Sequence, residues 1–158
     1  MEQELRELAE RIAAFIRADE QLTAAGHVNV VVEDKADAEN EIAQAIGQLG
    51  VLVLVIVSGF TRKQNSGPAL AGTVRMEIRC YEHPSLNRDG TAWTAQHVTE
   101  RLIRILHWRT IEGIQTPVRF VDFGRDDVAE ANVTRANYVF EHSLGYAEII
   151  TNNEQGEN

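Results

Sequence analysis

A single cysteine, Cys80, among 158 residues leaves no partner for an internal disulfide, so the chain is not a disulfide-stapled scaffold, and this suits a reducing compartment. The longest apolar run, Val51 to Val57, falls far short of the roughly 20 residues a helix needs to cross a bilayer. No signal peptide is expected, because Met1 to Asp19 is acidic and amphipathic rather than basic and then apolar. Lysine is scarce too: Lys35 and Lys63 stand against 13 arginines. A net charge of −9 excludes a generally basic nucleic-acid binder. What is present is an ordinary globular composition, 44% hydrophobic and 25% charged. The length suits one domain, taken as residues 1–151 with a polar tail at 152–158.

Charge is segregated along the chain. Residues 1–50 carry −7, residues 51–110 carry +4 and residues 111–158 carry −6. Opposite patches of this kind serve head-to-tail contact between identical subunits. Arginine's planar fork suits fixed pairs at such contacts better than lysine's hydrated point charge.

Periodicity orders the elements. Leu5, Leu8, Ile12, Phe15 and Ile16 recur at helical spacing, and Gly26 redirects the chain beyond. His27 to Glu33 reads as a strand, and a short helix is expected over 38–49, broken by Gly50. Val51–Val57 predicts a strand covered on both faces. Thr73–His83 alternates, with Val74, Met76, Ile78 and Cys80 on one side. Between these two strands, Ser58–Gly72 reads as a long polar loop containing Gly59, Gly67, Pro68 and Gly72. His83–Gly90 is turn chemistry, and Thr91 is the expected cap of a helix carrying Ala95, Val98, Leu102, Ile105 and Leu106. Val118–Phe123 predicts a strand with Val118, Phe120 and Asp122 opposite Arg119, Val121 and Phe123. After an acidic turn at 126–132, Val133–Glu141 predicts another, which 144–150 would extend. The order α-β-α-β-β-α-β-β implies an α+β fold, an antiparallel or mixed sheet with helices packed on one face.

Reactive constellations fail on spacing. Alternation puts His83 opposite Cys80 and Glu82, while His97 and His107 do not share a helix face. No Cys-x-x-Cys or His-Glu-x-x-His occurs. Cys80 continues an apolar row and reads as a small core residue. The acidic run from Glu33 to Glu41 lacks a calcium loop's ligand pattern. Neither glycine-rich phosphate motif occurs. Trp93 and Trp108 read as core or interface anchors. The chain is therefore read as a non-enzyme with no cofactor and no metal.

The layout of N-terminal amphipathic helix, strand Val28–Glu33, strand pair Val51–Val57 and Thr73–Tyr81 about a long loop, then His83-Pro84-Ser85-Leu86-Asn87-Arg88, the helix ending Ile105-Leu106-His107-Trp108 and two closing strands resembles the tail-terminator, or tail-completion, proteins of long-tailed bacteriophages and prophages. The resemblance spans most of residues 1–150 in order and texture, without a residue-level signature. It implies a homo-oligomeric ring, typically a hexamer, on the head-proximal end of the tail tube. Such a ring stops tube polymerisation and offers a surface to the head-completion or neck protein. The protein would then belong to the virion, assembled in the host cytoplasm, with DNA passing through the lumen without specific binding and no membrane involved. Alternatives are a head-completion or connector protein, a small α+β enzyme, and an adaptor that binds a partner strand along a sheet edge.

Two sets of contact residues follow from the residues themselves. Arg75, Arg79, Arg101 and Arg104 are the expected donors to acidic surface of a neighbouring copy. In the Ser58–Gly72 segment, Phe60 and Leu70 are apolar residues suited to burial against a partner, the tail tube in this reading, and Arg62 and Lys63 would attract an acidic surface.

Overall fold

A computed structural model describes residues 2–33, 50–64, 67, 70–82, 93–128 and 131–144. These residues form an α+β fold of three helices packed against a five-stranded mixed sheet. The expected helix over 38–49, the 83–90 turn, the Thr91 cap and the 144–150 extension, beyond Leu144 itself, lie outside the described residues, as does the polar tail.

Helix α1 (Glu2–Arg17) buries Leu8, Ala9, Ile12, Ala13 and Ile16, with Leu5 and Phe15 packed partly against the same core. The chain leaves the helix at Ala18, and Asp19 caps a second, short helix, α2 (Glu20–Ala25), by accepting from Leu22 N at 3.1 Å. Gly26 follows with φ of +67°, which turns the chain into strand β1 (Val28–Val32). Gly50 introduces strand β2 (Val51–Arg62) with φ of +135°, and a Cβ there would lie 2.2 Å from the His27 carbonyl oxygen. Only glycine lets the two chain segments approach this closely.

Strand β3 (Leu70–Glu82) is followed by helix α3 (Ala95–Leu106), then strands β4 (Arg119–Val128) and β5 (Ala131–Leu144). Thr94 caps α3 in a capping box with His97, an entry three residues later than the expected cap. The spatial order is β1-β2-β3-β5-β4, with β1 parallel to β2 and every other neighbour antiparallel.

One sheet face carries Val51, Val53 and Val55, Val74 to Cys80 at alternate positions, then Ala136, Tyr138 and Phe140. It receives all three helices in the main core. On the opposite face a second cluster of Leu52, Leu54, Ile56, Tyr81 and Val133 occupies one end. Val51 to Ile56 is thus buried on both faces, as the unbroken apolar run requires. Cys80 is fully buried beside Thr99 and Thr134, whose hydroxyls lie 2.6 Å apart, and its thiol is pushed up to about 12 by desolvation.

The segment expected as a long loop is different. Strand β2 continues to Arg62 and β3 starts at Leu70, so 59–62 and 70–72 are paired strand, β3 with β5 as well as β2, and Ser58 is the bulge residue. A bulge between Val57 and Gly59 resets the alternation, which puts Val57 and Phe60 on one face three residues apart. A second bulge, between Phe120 and Asp122, corrects the expected sides of β4. Phe120 opposes Tyr138 and Phe123 opposes Ala136, so both lie on the helix-covered face.

Candidate interaction surfaces

The expected arginine donors have distinct environments. Arg101 donates to both carboxylate oxygens of Asp19, at 2.7 and 3.1 Å, tying α3 to the α1–α2 junction. The Arg101 hydrogen bond holds the Asp19 carboxyl below its usual range despite burial. Arg79 pairs with Glu77 on its own strand at 2.5 Å, and this hydrogen bond raises the guanidinium's affinity for its proton. The Arg75 guanidinium lies over Gly59 and donates to Thr61 Oγ1. Arg104 is exposed in the last turn of α3.

Phe60, Arg62, Lys63 and Leu70 gather at the far end of the β2–β3 hairpin. Phe60 packs partly on the main core. Arg62 donates to the Gly67 carbonyl at 3.0 Å, Lys63 is exposed, and Leu70 is 37% exposed. An open groove of about 450 Å³ lies beside this end, bordered by Arg62, Lys63, Thr73, Thr116, Glu141 and Ser143. Glu141 accepts from Thr73 Oγ1 at 3.0 Å and from Arg119 at 3.3 Å, so its carboxylate already has donors.

The sheet margins differ from one another. Past the start of β4, the outer edge of β5 is sealed by side chains. Thr116 Oγ1 both donates to the Glu141 carbonyl (3.0 Å) and accepts from its N–H (2.8 Å), and the Gln115 amide does the same for Ser143. On β1, Arg17 donates from Nη2 and Nε to the Val30 carbonyl at 2.7 and 3.2 Å. A charged group over an edge carbonyl blunts that edge against unwanted pairing.

Among the described residues, strand β4 is covered only at its beginning. Trp108 N–H donates to the Val118 carbonyl, Val118 N–H donates to Arg109, and Phe120 N–H donates to His107 Nδ1. From Val121 onward, no described residue pairs with the outer edge. Three large apolar side chains stand there exposed: Trp108 at 63%, Val121 at 52% and Phe123 at 42%. Trp108 also has φ of +59°, an unfavourable conformation for a bulky residue, of the sort that gathers at functional sites.

No protein-family model and no curated protein matches this chain. Its surfaces therefore speak through their own chemistry.

The expected hairpin residues Phe60, Arg62, Lys63 and Leu70 lie together in space, whereas the β4 edge was not singled out from the sequence. The signal was present in Val121 and Phe123, two apolar residues that simple alternation assigns to the polar side of the strand. Three histidines serve separate local purposes: His97 in the α3 cap, His107 as acceptor for Phe120 N–H, and His142 buried 3.8 Å from Glu4. Among the described residues, no three of His, Cys, Asp and Glu converge as a metal site would require.

Proposed function

We propose that this chain is a structural assembly protein of the tail-terminator kind, forming a ring, of six copies in the resemblance, that caps a tail tube and receives the head-completion protein. The observation that carries the reading is the asymmetry of the sheet margins. One edge is capped by Arg17 and the end of β5 is sealed by Thr116 and Gln115. Among the described residues nothing covers the edge of β4 from Val121 onward, and Trp108, Val121 and Phe123 stand exposed along it. A row of unpaired main-chain groups flanked by large apolar side chains is a surface made to be covered.

In this reading Arg104 remains available for an acidic surface of the next copy, while Arg75 and Arg79 sit on the exposed part of the sheet's second face. The hairpin end, with Lys63 and Leu70 outermost, is the arm toward the tube. The chain's net charge of −9 would disfavour adhesion of DNA passing through the lumen of such a ring.

Two assays test this. Native mass spectrometry of the purified protein should give one discrete ring, and a monomer at all concentrations refutes it. Replacing residues 61–69 by a short Gly-Ser turn should leave the ring intact while tails lose length control or fail to join heads. Normal tails from that variant refute the arm.

A further inference from the structure

The direction in which each edge strand points its main-chain atoms follows from bonds already described. Val51 N–H donates to His27 O and Glu33 N–H donates to Val55 O, so odd-numbered residues of β1 face β2. Val28, Val30 and Val32 therefore face outward, as the Arg17 bond to Val30 requires. On the other side, Glu141 and Ser143 bond Thr116 and Gln115 away from β3, so odd residues of β5 face β4. Their partners Asp122, Gly124 and Asp126 face inward. Phe123, Arg125 and residue 127 then face outward, in line with the outward N–H of Phe120.

We propose that neighbouring copies join by antiparallel pairing of β4 with β1 of the next copy, and that Arg17 is the latch released when they do. This rests on the ring reading above and names its contact. Three features of the fold support it. First, β4 runs antiparallel to β1 within the sheet, so placing the next copy in the same orientation extends the sheet by an antiparallel pair. Second, the outward residues of both strands lie on the helix-covered face: Val28, Val30 and Val32 with Val51 to Val55, and Phe123 with Ala136. Paired residues share a face, so the helices of both copies fall on the same side. Third, the lengths agree, because β1 has five residues and positions 123–127 are its counterpart.

One register uses all three outward residues of each strand: Val32 opposite Phe123, Val30 opposite Arg125 and Val28 opposite position 127. Val31 then meets Gly124, and Asn29 meets Asp126. Within these five pairs no like charges fall opposite one another, since β1 has none; one step beyond, Glu33 meets Asp122 at the β4 bulge, a single unfavourable pair at the margin of the contact. Pairing β4 with its own copy about a two-fold axis is excluded. Centring on Phe123 drives residues 126–128 into the lane held by His107 to Arg109. Centring on Gly124 opposes Asp122 to Asp126, while centring on Arg125 or Asp126 opposes that residue to itself. The edge is therefore complementary to β1 and hostile to itself, which is a head-to-tail arrangement.

In the free subunit the Val30 carbonyl is occupied by Arg17; in the joined pair it accepts the N–H of Arg125. Arg17 then faces the incoming Arg125, so its release also removes a like-charge contact.

Cross-linking tests the register. Cα atoms of a hydrogen-bonded antiparallel pair lie about 5.5 Å apart, within disulfide range, and Cys80 is buried and silent. Under oxidation, Val32→Cys with Phe123→Cys in one chain should yield covalent multimers up to the ring number, whereas either single variant should yield none beyond a dimer. Arg125→Pro removes an N–H that no strand of its own sheet uses; it should keep the far-ultraviolet circular dichroism of the parent and lose the oligomer. Arg17→Met should assemble at several-fold lower concentration. A discrete oligomer that gives no multimers from the double cysteine variant, or that survives Arg125→Pro, overturns the pairing and leaves the ring reading standing. A parent protein that stays monomeric at every concentration overturns both. If Arg125→Pro fails to fold, the cross-linking result decides alone.

Discussion

Replacing Arg101 by methionine removes the tie between α3 and the α1–α2 junction while keeping most of the side chain's apolar length. Asp19 is the partner at risk: its side chain is 10% exposed, against 25% for Arg101. Breaking a buried ion pair leaves the surviving charge desolvated, a loss of about 3–5 kcal/mol when burial is complete. Asp19 keeps its bond from Leu22 N, so we expect about 2–3 kcal/mol, at the upper range of a charge-assisted hydrogen bond. For a chain of this size that is a fall in Tm of roughly 5–10 °C. The pH dependence has a definite sign. The Asp19 carboxyl is lowered from its ordinary value of 3.8 by Arg101, so its contribution is present above about pH 4 and is lost as pH falls through the depressed native value. Urea unfolding between pH 7 and pH 3, at concentrations below assembly, should therefore show R101M destabilised at neutral pH and a shallower acid limb than the parent. A double cycle with D19N should recover part of the loss. If R101M lies within about 0.5 kcal/mol of the parent, with an unchanged acid limb, the pair behaves as an exposed one and the reasoning fails.

Gly50→Ala should cost about 2 kcal/mol or more in chemical denaturation, since it combines a disfavoured φ with a clash against the His27 carbonyl; a neutral effect would mean the β1–β2 entry is not constrained. His142 is kept neutral by burial, with Glu4 opposing the shift only in part, so stability should decline as pH drops below about 6.5, where the unfolded chain takes up a proton the folded one resists. His142→Phe should flatten that decline. Cys80→Ser should lower stability modestly, by about 1 kcal/mol, and the native thiol should resist alkylation at pH 8; rapid labelling would contradict its burial.

Much of the fold was legible because the residues that specify it are neighbours in sequence. Val51 to Val57 announced an interior strand, and Ile12 and Ile16 announced the buried face of α1. The hairpin end was illegible for a physical reason: a strand exposed on its second face carries the same Ser, Thr, Arg and Gly residues as a loop. The bulge at Ser58 then spaces Val57 and Phe60 by three, which hides the period of two. Val121 does the same on β4, and so concealed the exposed edge. The Asp19–Arg101 pair spans 82 positions, and no local pattern points to it.

The two-sided burial of the sheet at one end only has a mechanical consequence. Strands β2 and β3 are gripped between the helices and the second cluster from Val51 to Ile56 and at Tyr81. Beyond this grip the two strands are held unequally: β1 pairing ends opposite Val55, so among the described residues outer β2 is hydrogen-bonded to β3 alone, whereas β3 stays paired with β5 out to Leu70. The bulge between Val57 and Gly59 sits where β2 loses its second neighbour. Force applied to Lys63 by a docking partner would strain outer β2 about Ser58 while β3, tied to β5, stays still. Amide exchange should follow the same gradient, with protection falling from Val55 toward Arg62 along a single strand.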